Sequence, residues 1–165
     1  MKRLLAVLVF AVLAAGCRGT LPNRLVYSGG FSFANYDYVV VAKPDSRDTN
    51  TSLYGMDVEF ANLMSRFNMR VIGDKEYPAL SPETKQRTLN ARMSVSASNK
   101  VILLSVSFDD SVTGRTGASV SAYGKGNIFN VNARNKAWES ASDLIIKALE
   151  KDKGLHITEE PSPVK

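Results

Sequence analysis

Apolar and polar positions change period several times along this chain, and each change marks an element. Leu4 to Ala15 is an unbroken apolar run. Tyr36 to Ala42 is rich in Val and Tyr and closed by Lys43-Pro44, which predicts a buried strand. Asp45 to Ser52 is polar turn chemistry that offers helix N-caps. Leu53, Met56, Phe60, Leu63, Met64 and Phe67 then recur at helical spacing as one apolar stripe, with Asn68 as the stop. Met69 to Gly73 returns to a strand pattern. Strand, helix, strand in so short a span is the βαβ unit, which implies a parallel pair and a right-handed crossover.

Ser81-Pro82-Glu83-Thr84 is a helix start, with Ser as cap and Pro at the first helical position. The pattern predicts a helix running to Met93, with Leu89 and Met93 facing inward. Lys100 to Phe108 reads as a strand whose Ile102, Leu104, Val106 and Phe108 share one face. Asp109 to Gly114 reads as a loop. Arg115 to Tyr123 alternates Ala118, Val120 and Ala122 with Ser119, Ser121 and Tyr123. Gly124-Lys125-Gly126 turns the chain, and Asn127 to Ala133 is expected to be the last strand of the meander. Ala137, Trp138, Ala141, Leu144, Ile145, Ala148 and Leu149 form the apolar face of a final helix ended near Gly154. Leu25 to Tyr27 and Phe31 to Phe33, split by Gly29-Gly30, suggest an edge strand or hairpin. The expected class is α/β (α+β): a single mixed β-sheet with helices packed on it, in the order β-α-β-α-β-β-β-α.

The first apolar run is too short to span a bilayer, which takes roughly 20 residues. It follows Met1-Lys2-Arg3 and ends in Leu13-Ala14-Ala15-Gly16-Cys17, the layout of a secretory signal. Leu13 to Cys17 resembles the lipobox of bacterial lipoproteins. The resemblance implies cleavage between Gly16 and Cys17, diacylglycerol on the Cys17 thiol and acylation of the new amino terminus. Residue 18 is Arg and not the Asp associated with inner-membrane retention in Gram-negative lipoproteins, so the resemblance points to the outer membrane. The expected organisation is a signal peptide at 1–16, a lipidated tether at 17–24, a periplasmic α/β domain at 25–154 and a tail at 155–165.

Loss of the first 16 of 165 residues leaves enough chain for one domain with a real core. Cys17 is the only cysteine, so no disulfide forms within the chain and stability must come from packing. The formal charge of +5 falls by two when Lys2 and Arg3 leave, and no dense Lys/Arg block remains. That pattern, with export, argues against a nucleic-acid partner.

Few reaction classes fit the residue types present. His156 is the only histidine and falls in the expected tail, so no Ser-His-Asp or Cys-His arrangement can be built around it. With Cys17 lipidated, thiolate chemistry and Cys/His zinc sites also go. Asp109-Asp110 is the most tempting pair for a carboxylate hydrolase, but neighbours in a turn do not define a cleft, and turn formation is the stronger reading. Asp45, Asp48 and Asn50 lack the glycine and closing glutamate of a calcium loop. Gly124-Lys125-Gly126 lacks the spacing of a phosphate-binding loop. Asp57 and Glu59 read as a solvated flank, and Trp138 as core packing. No catalytic, metal or cofactor-binding residue is expected. Ser119, Ser121 and Tyr123 form a candidate interaction surface, on a strand that either stands open at the sheet edge or pairs inside the sheet under a helix.

The element order resembles that of small envelope lipoproteins, such as the periplasmic domain of the curli secretion lipoprotein, the outer-membrane activators of peptidoglycan synthases and lipoproteins of unknown function. Tyr36 to Ala42, Leu53 to Gly73, Lys100 to Phe108 and Lys136 to Leu149 carry the resemblance, and no functional residues transfer with it. It implies a non-enzymatic adaptor, scaffold or assembly factor at the periplasmic face of the outer membrane. Its partners would be the bilayer, through Cys17, and an envelope protein or a second copy. The alternative is a binding protein for a lipid, glycan or other small ligand. No pair of long alternating hairpins suits a membrane pore. Mass spectrometry of the mature amino terminus should find acylated Cys17 as its first residue; a retained Met1 or a free Cys17 thiol would remove the anchor.

Overall fold

Six strands of alternating burial form the frame of the computed structural model, which describes residues 22–42, 55–73, 75–127 and 129–155. The lipobox, Lys43-Pro44, the capping loop at 45–52, Leu53 and the tail from His156 lie outside the described residues. The strands are β1 (Arg24–Tyr27), β2 (Tyr38–Ala42), β3 (Arg70–Ile72), β4 (Thr88–Ala97), β5 (Val101–Asp110) and β6 (Thr116–Lys125). The helices are α1 (Met56–Arg66), α2 (Pro82–Gln86) and α3 (Val131–Lys153). The sheet order is β1-β6-β5-β4-β2-β3. β2 is parallel to both β3 and β4, and the β4-β5-β6-β1 part is antiparallel throughout. The mixed-sheet class, the element order and the first parallel pair are as the sequence predicts.

Three segments differ from expectation, and the first two differences compensate. α2 starts as read, with the Ser81 hydroxyl accepting from the Thr84 N–H at 3.2 Å, but it ends at Gln86. The Thr88 hydroxyl donates back to the Thr84 carbonyl at 2.7 Å as the chain turns into β4. Leu89, Ala91, Met93 and Val95 then face the core from a strand and not from a helix. At the other end, Asn127 to Ala133 is not a strand. Asn130 accepts from the Ala133 N–H at 3.1 Å and so caps α3, which continues for 23 residues to Gly154 in the left-handed region. Phe31 to Phe33 likewise makes no hairpin with β1, because Phe33–Asn35 is a short 3-10 helix capped by Ser32.

One face of the sheet carries the main core. α3 lies along β6 and β5, and α1 lies beneath β2 and β3. Rings of Phe33, Phe60 and Phe108 meet edge-on or tilted, with centroids 5.0 Å apart for Phe33–Phe108 and 5.9 Å for Phe60–Phe108. The strip of β6 under α3 is small: Ala118, Val120, Ala122 and Gly124 face Ala133, Ala137, Ala141 and Ile145 of the helix. A Cβ added at Gly124 would overlap the main-chain carbonyl of Ala133, which cannot rotate away. A second close approach lies at the irregularity between Phe108 and Asp109, where Gly117 is the extra residue of β6. The Phe31 ring covers Gly117 where a side chain would otherwise stand.

The opposite face is divided. The connection from β3 to β4, including α2, moves across the sheet in the reverse direction to the α1 connection and so passes over the other side. Val40 and Ile72 are buried there, apart from the main cluster. The rest of that face, on β4, β5, β6 and β1, has no helix over it among the described residues. No helix among the described residues is long and apolar enough to cross a membrane.

Gly124→Ala should lower unfolding free energy by about 1–3 kcal/mol, the usual cost of overpacking, seen as a lower urea midpoint. Ser119→Ala, on the other face of the same strand, should change it far less.

Candidate interaction surface

The uncovered face is built by lateral register. Ser94, Ser105, Ser121 and Arg24 lie in one row across β4, β5, β6 and β1. Arg92, Ser107, Ser119 and Val26 form the next row, and Ser96, Leu103 and Tyr123 the one beyond Ser94. Period-two alternation sends Met93, Val95, Leu104, Val106, Val120 and Ala122 to the core and leaves these residues on the outside. Serine is short, so the surface has little relief, and Ser105, Ser107, Ser119 and Ser121 are half-buried by their neighbours alone. Among the described residues their hydroxyls make no hydrogen bond to protein, which leaves donors and acceptors facing outward.

Ser119, Ser121 and Tyr123 therefore lie half-buried on a face, not along an edge. β6 pairs with β5 on one side and with β1 on the other, so the open-edge reading of this strand is overturned. Past the end of β1 the Tyr123 N–H donates to the Asn23 side chain at 2.9 Å, which closes the exposed main chain there too. Reasoning from the sequence missed Ser94, Ser105, Ser107 and Arg92. The alternation Arg92-Met93-Ser94-Val95-Ser96 was the signal available for the first strand.

At one end of this face the two adjacent carboxylates take separate tasks. Asp109 is buried at 4% exposure. Arg92 reaches its Oδ2 with Nε at 3.0 Å and Nη2 at 2.6 Å, and the Thr116 hydroxyl donates to Oδ1 at 2.6 Å. Asp109 thus ties β4, β5 and β6 together and is not a turn former. Asp110 is one: its Oδ1 accepts from the Val112 N–H at 3.1 Å, the Thr113 N–H at 2.7 Å and the Thr113 hydroxyl at 2.8 Å. Its Oδ2 accepts from the Tyr36 hydroxyl at 3.0 Å. Partial burial pushes the Asp110 carboxyl up, but the bonds from Thr113, Tyr36 and Val112 outweigh it and hold the pKa below the usual value. Burial first, then the bond and charge of Asp110, push Tyr36 up to about 12. No cleft separates the two carboxylates.

The same end carries further ties to α3. Lys153 donates to the Tyr36 carbonyl at 2.7 Å, and the Phe33 N–H donates to Asp152 at 2.8 Å. Burial holds the Lys153 ammonium below its ordinary pKa, against the nearby Asp37 charge. Asp37 pairs with Arg87 at the start of β4. Asp57 and Glu59 are exposed in the first turn of α1, as expected of a solvated flank. Trp138 is half-buried against the core. Gly124 and Lys125 end β6, and the segment leads into α3. Gly16, Cys17, Asp45, Asp48, Asn50 and His156 lie outside the described residues. Among the described residues, no group of three His, Cys, Asp or Glu side chains stands together as a metal site would need.

No protein-family model and no curated protein matches this chain. Solved structures similar in chain path include the PelC dodecamer from Paraburkholderia phytofirmans. It is 13% identical with a TM-score of 0.47, over 74% of this chain and 96% of that one. Lipoprotein GNA1162 from Neisseria meningitidis is 14% identical with a TM-score of 0.36, over 67% of this chain and 98% of that one.

Tyr36→Phe should cost about 1 kcal/mol at neutral pH, the usual net worth of one hydrogen bond. Because the folded-state pKa of Asp110 is depressed, the bond it accepts is present above the ordinary carboxylate range and lost as pH falls through the depressed value. Urea titrations should therefore show the gap between wild type and variant closing on acidification.

Proposed function

We propose that this chain is a lipid-anchored lipoprotein acting as a non-enzymatic adaptor, scaffold or assembly factor at the periplasmic face of the outer membrane. The Leu13 to Cys17 pattern after a basic start and an apolar run supports the anchor, and Arg18 supports the outer leaflet pair as destination. The observation that carries the docking role is the uncovered face of β4, β5, β6 and β1. Its serine rows are flat, rimmed by Arg24, Arg92 and Tyr123, and free of internal hydrogen bonds among the described residues. Such a face fits a second protein surface that meets it broadly and supplies its own donors and acceptors. The anchor adds effective concentration by confining the domain to the membrane where that partner resides. The carboxylates suit this reading better than hydrolysis, since Asp109 and Asp110 are each engaged by structural partners.

Crosslinking in cells followed by purification should recover a discrete envelope protein or a second copy of this chain. Ser105→Arg with Ser119→Glu, which are diagonal and of opposite charge, should abolish that capture while leaving the fold and membrane fractionation intact. Capture that survives both substitutions would rule this face out as the docking surface.

A further inference from the structure

The chain enters the domain at the same end of the sheet where Phe129, a highly exposed aromatic among the described residues, stands. Asn23 bonds the Tyr123 N–H and Arg24 pairs with Ser121, so the amino-terminal segment arrives beside the last residues of β6. The β4–β5 turn is there as well, with the Gly126 N–H donating to the Lys100 carbonyl at 2.8 Å. From that end the β6–α3 connection presents Phe129 at 87% exposure and Val131 at 53%. The connection is braced: Phe129 donates its N–H to the Asn127 side chain at 3.2 Å, and Asn130 caps α3 while lying against Gly126. Phe129 and Val131, two residues apart, thus form an exposed apolar pair rather than a single scattered side chain.

Around β6 the charge at this end has one sign. Residues 22–26, 94–103 and 122–137 contain no Asp or Glu, and Arg24, Lys100 and Lys125 are exposed. The acidic pair Asp57 and Glu59 starts α1 at this same end, because β2 runs parallel to β4, but it lies across the sheet beneath β2 and β3 and away from β6. Cys17 precedes Asn23 by six residues, which at full extension span only about 20 Å. A lipid on Cys17 would thus keep this end within reach of the headgroups and bring no other end of the sheet so close.

We propose that Phe129 and Val131, the first residue of α3, make a second membrane contact by entering the interfacial layer while Lys100, Lys125 and Arg24 face anionic headgroups. The strands then stand upright on the bilayer, and the serine-lined face is held perpendicular to it and clear of lipid. This rests on the anchor reading of Cys17.

The test uses the full chain, purified from membranes and reconstituted in vesicles of phosphatidylethanolamine and phosphatidylglycerol. Phe129→Cys carries an environment-sensitive fluorophore, and Val112→Cys, exposed on the turn at the opposite end of the sheet, serves as comparison. Acylation blocks Cys17, so the introduced thiol alone takes the label. The label at 129 should shift to the blue and lose emission to doxyl-labelled lipid, whereas the label at 112 should do neither. Adding Lys100→Glu and Lys125→Glu should restore emission at 129. If mass spectrometry shows Cys17 acylated but the label at 129 behaves like that at 112, the membrane contact is wrong and the anchor stands. If Cys17 is unmodified, the anchor fails and the contact falls with it.

Discussion

Close packing of α3 on β6 is the constraint from which the remaining geometry follows. Ala118, Val120, Ala122 and Gly124 on the strand meet alanines four residues apart on the helix, and at Gly124 the two backbones nearly touch. Small side chains bring the helix axis close, and close approach locks rotation and sliding because neither element has a flexible group to yield. With the helix seated, its far end delivers Asp152 to the Phe33 N–H and Lys153 to the Tyr36 carbonyl. Both contacts position the segment between β1 and β2.

The two faces of the sheet divide the work of stability and display. Large rings and aliphatic chains fill the helix side, where removal of a buried phenylalanine costs about 3–5 kcal/mol. The outer side of the antiparallel strands contributes little burial and is correspondingly tolerant of change. Asp109 marks the boundary. It is a buried carboxylate on the outer face, matched by a guanidinium and a hydroxyl from two neighbouring strands, so removing either partner would leave charge without compensation.

Much of this was legible in the residues, and the failures have a common cause. The stripe of α1 and the β-branched run of β2 each fit one period only, and both elements form where expected. Leu89 and Met93 fit two, because a spacing of four returns to the same side of a helix and of a strand alike. Only Ala91 and Val95, alternating with Arg92, Ser94 and Ser96, break the tie. Asn127 to Ala133 misled in the opposite sense: Asn130 is a cap, and the alanines at 133, 137 and 141 extend the helical period backward. The serine rows were hidden for another reason. Each strand by itself shows ordinary polar alternation, and only pairing across four strands assembles the surface.

β1 has a mechanical consequence. It is four residues long and antiparallel to β6. A pull on the chain ahead of Arg24 acts along the strand axis, so its ladder is loaded in shear and all of its bonds share the force together. Past its far end, the Ser28 N–H and hydroxyl grip the Gly117 and Thr116 carbonyls, and the Phe31 ring sits over the glycine. That grip is a stopper on a cord: a pull from the amino-terminal side tightens against it before reaching the helix-packed core.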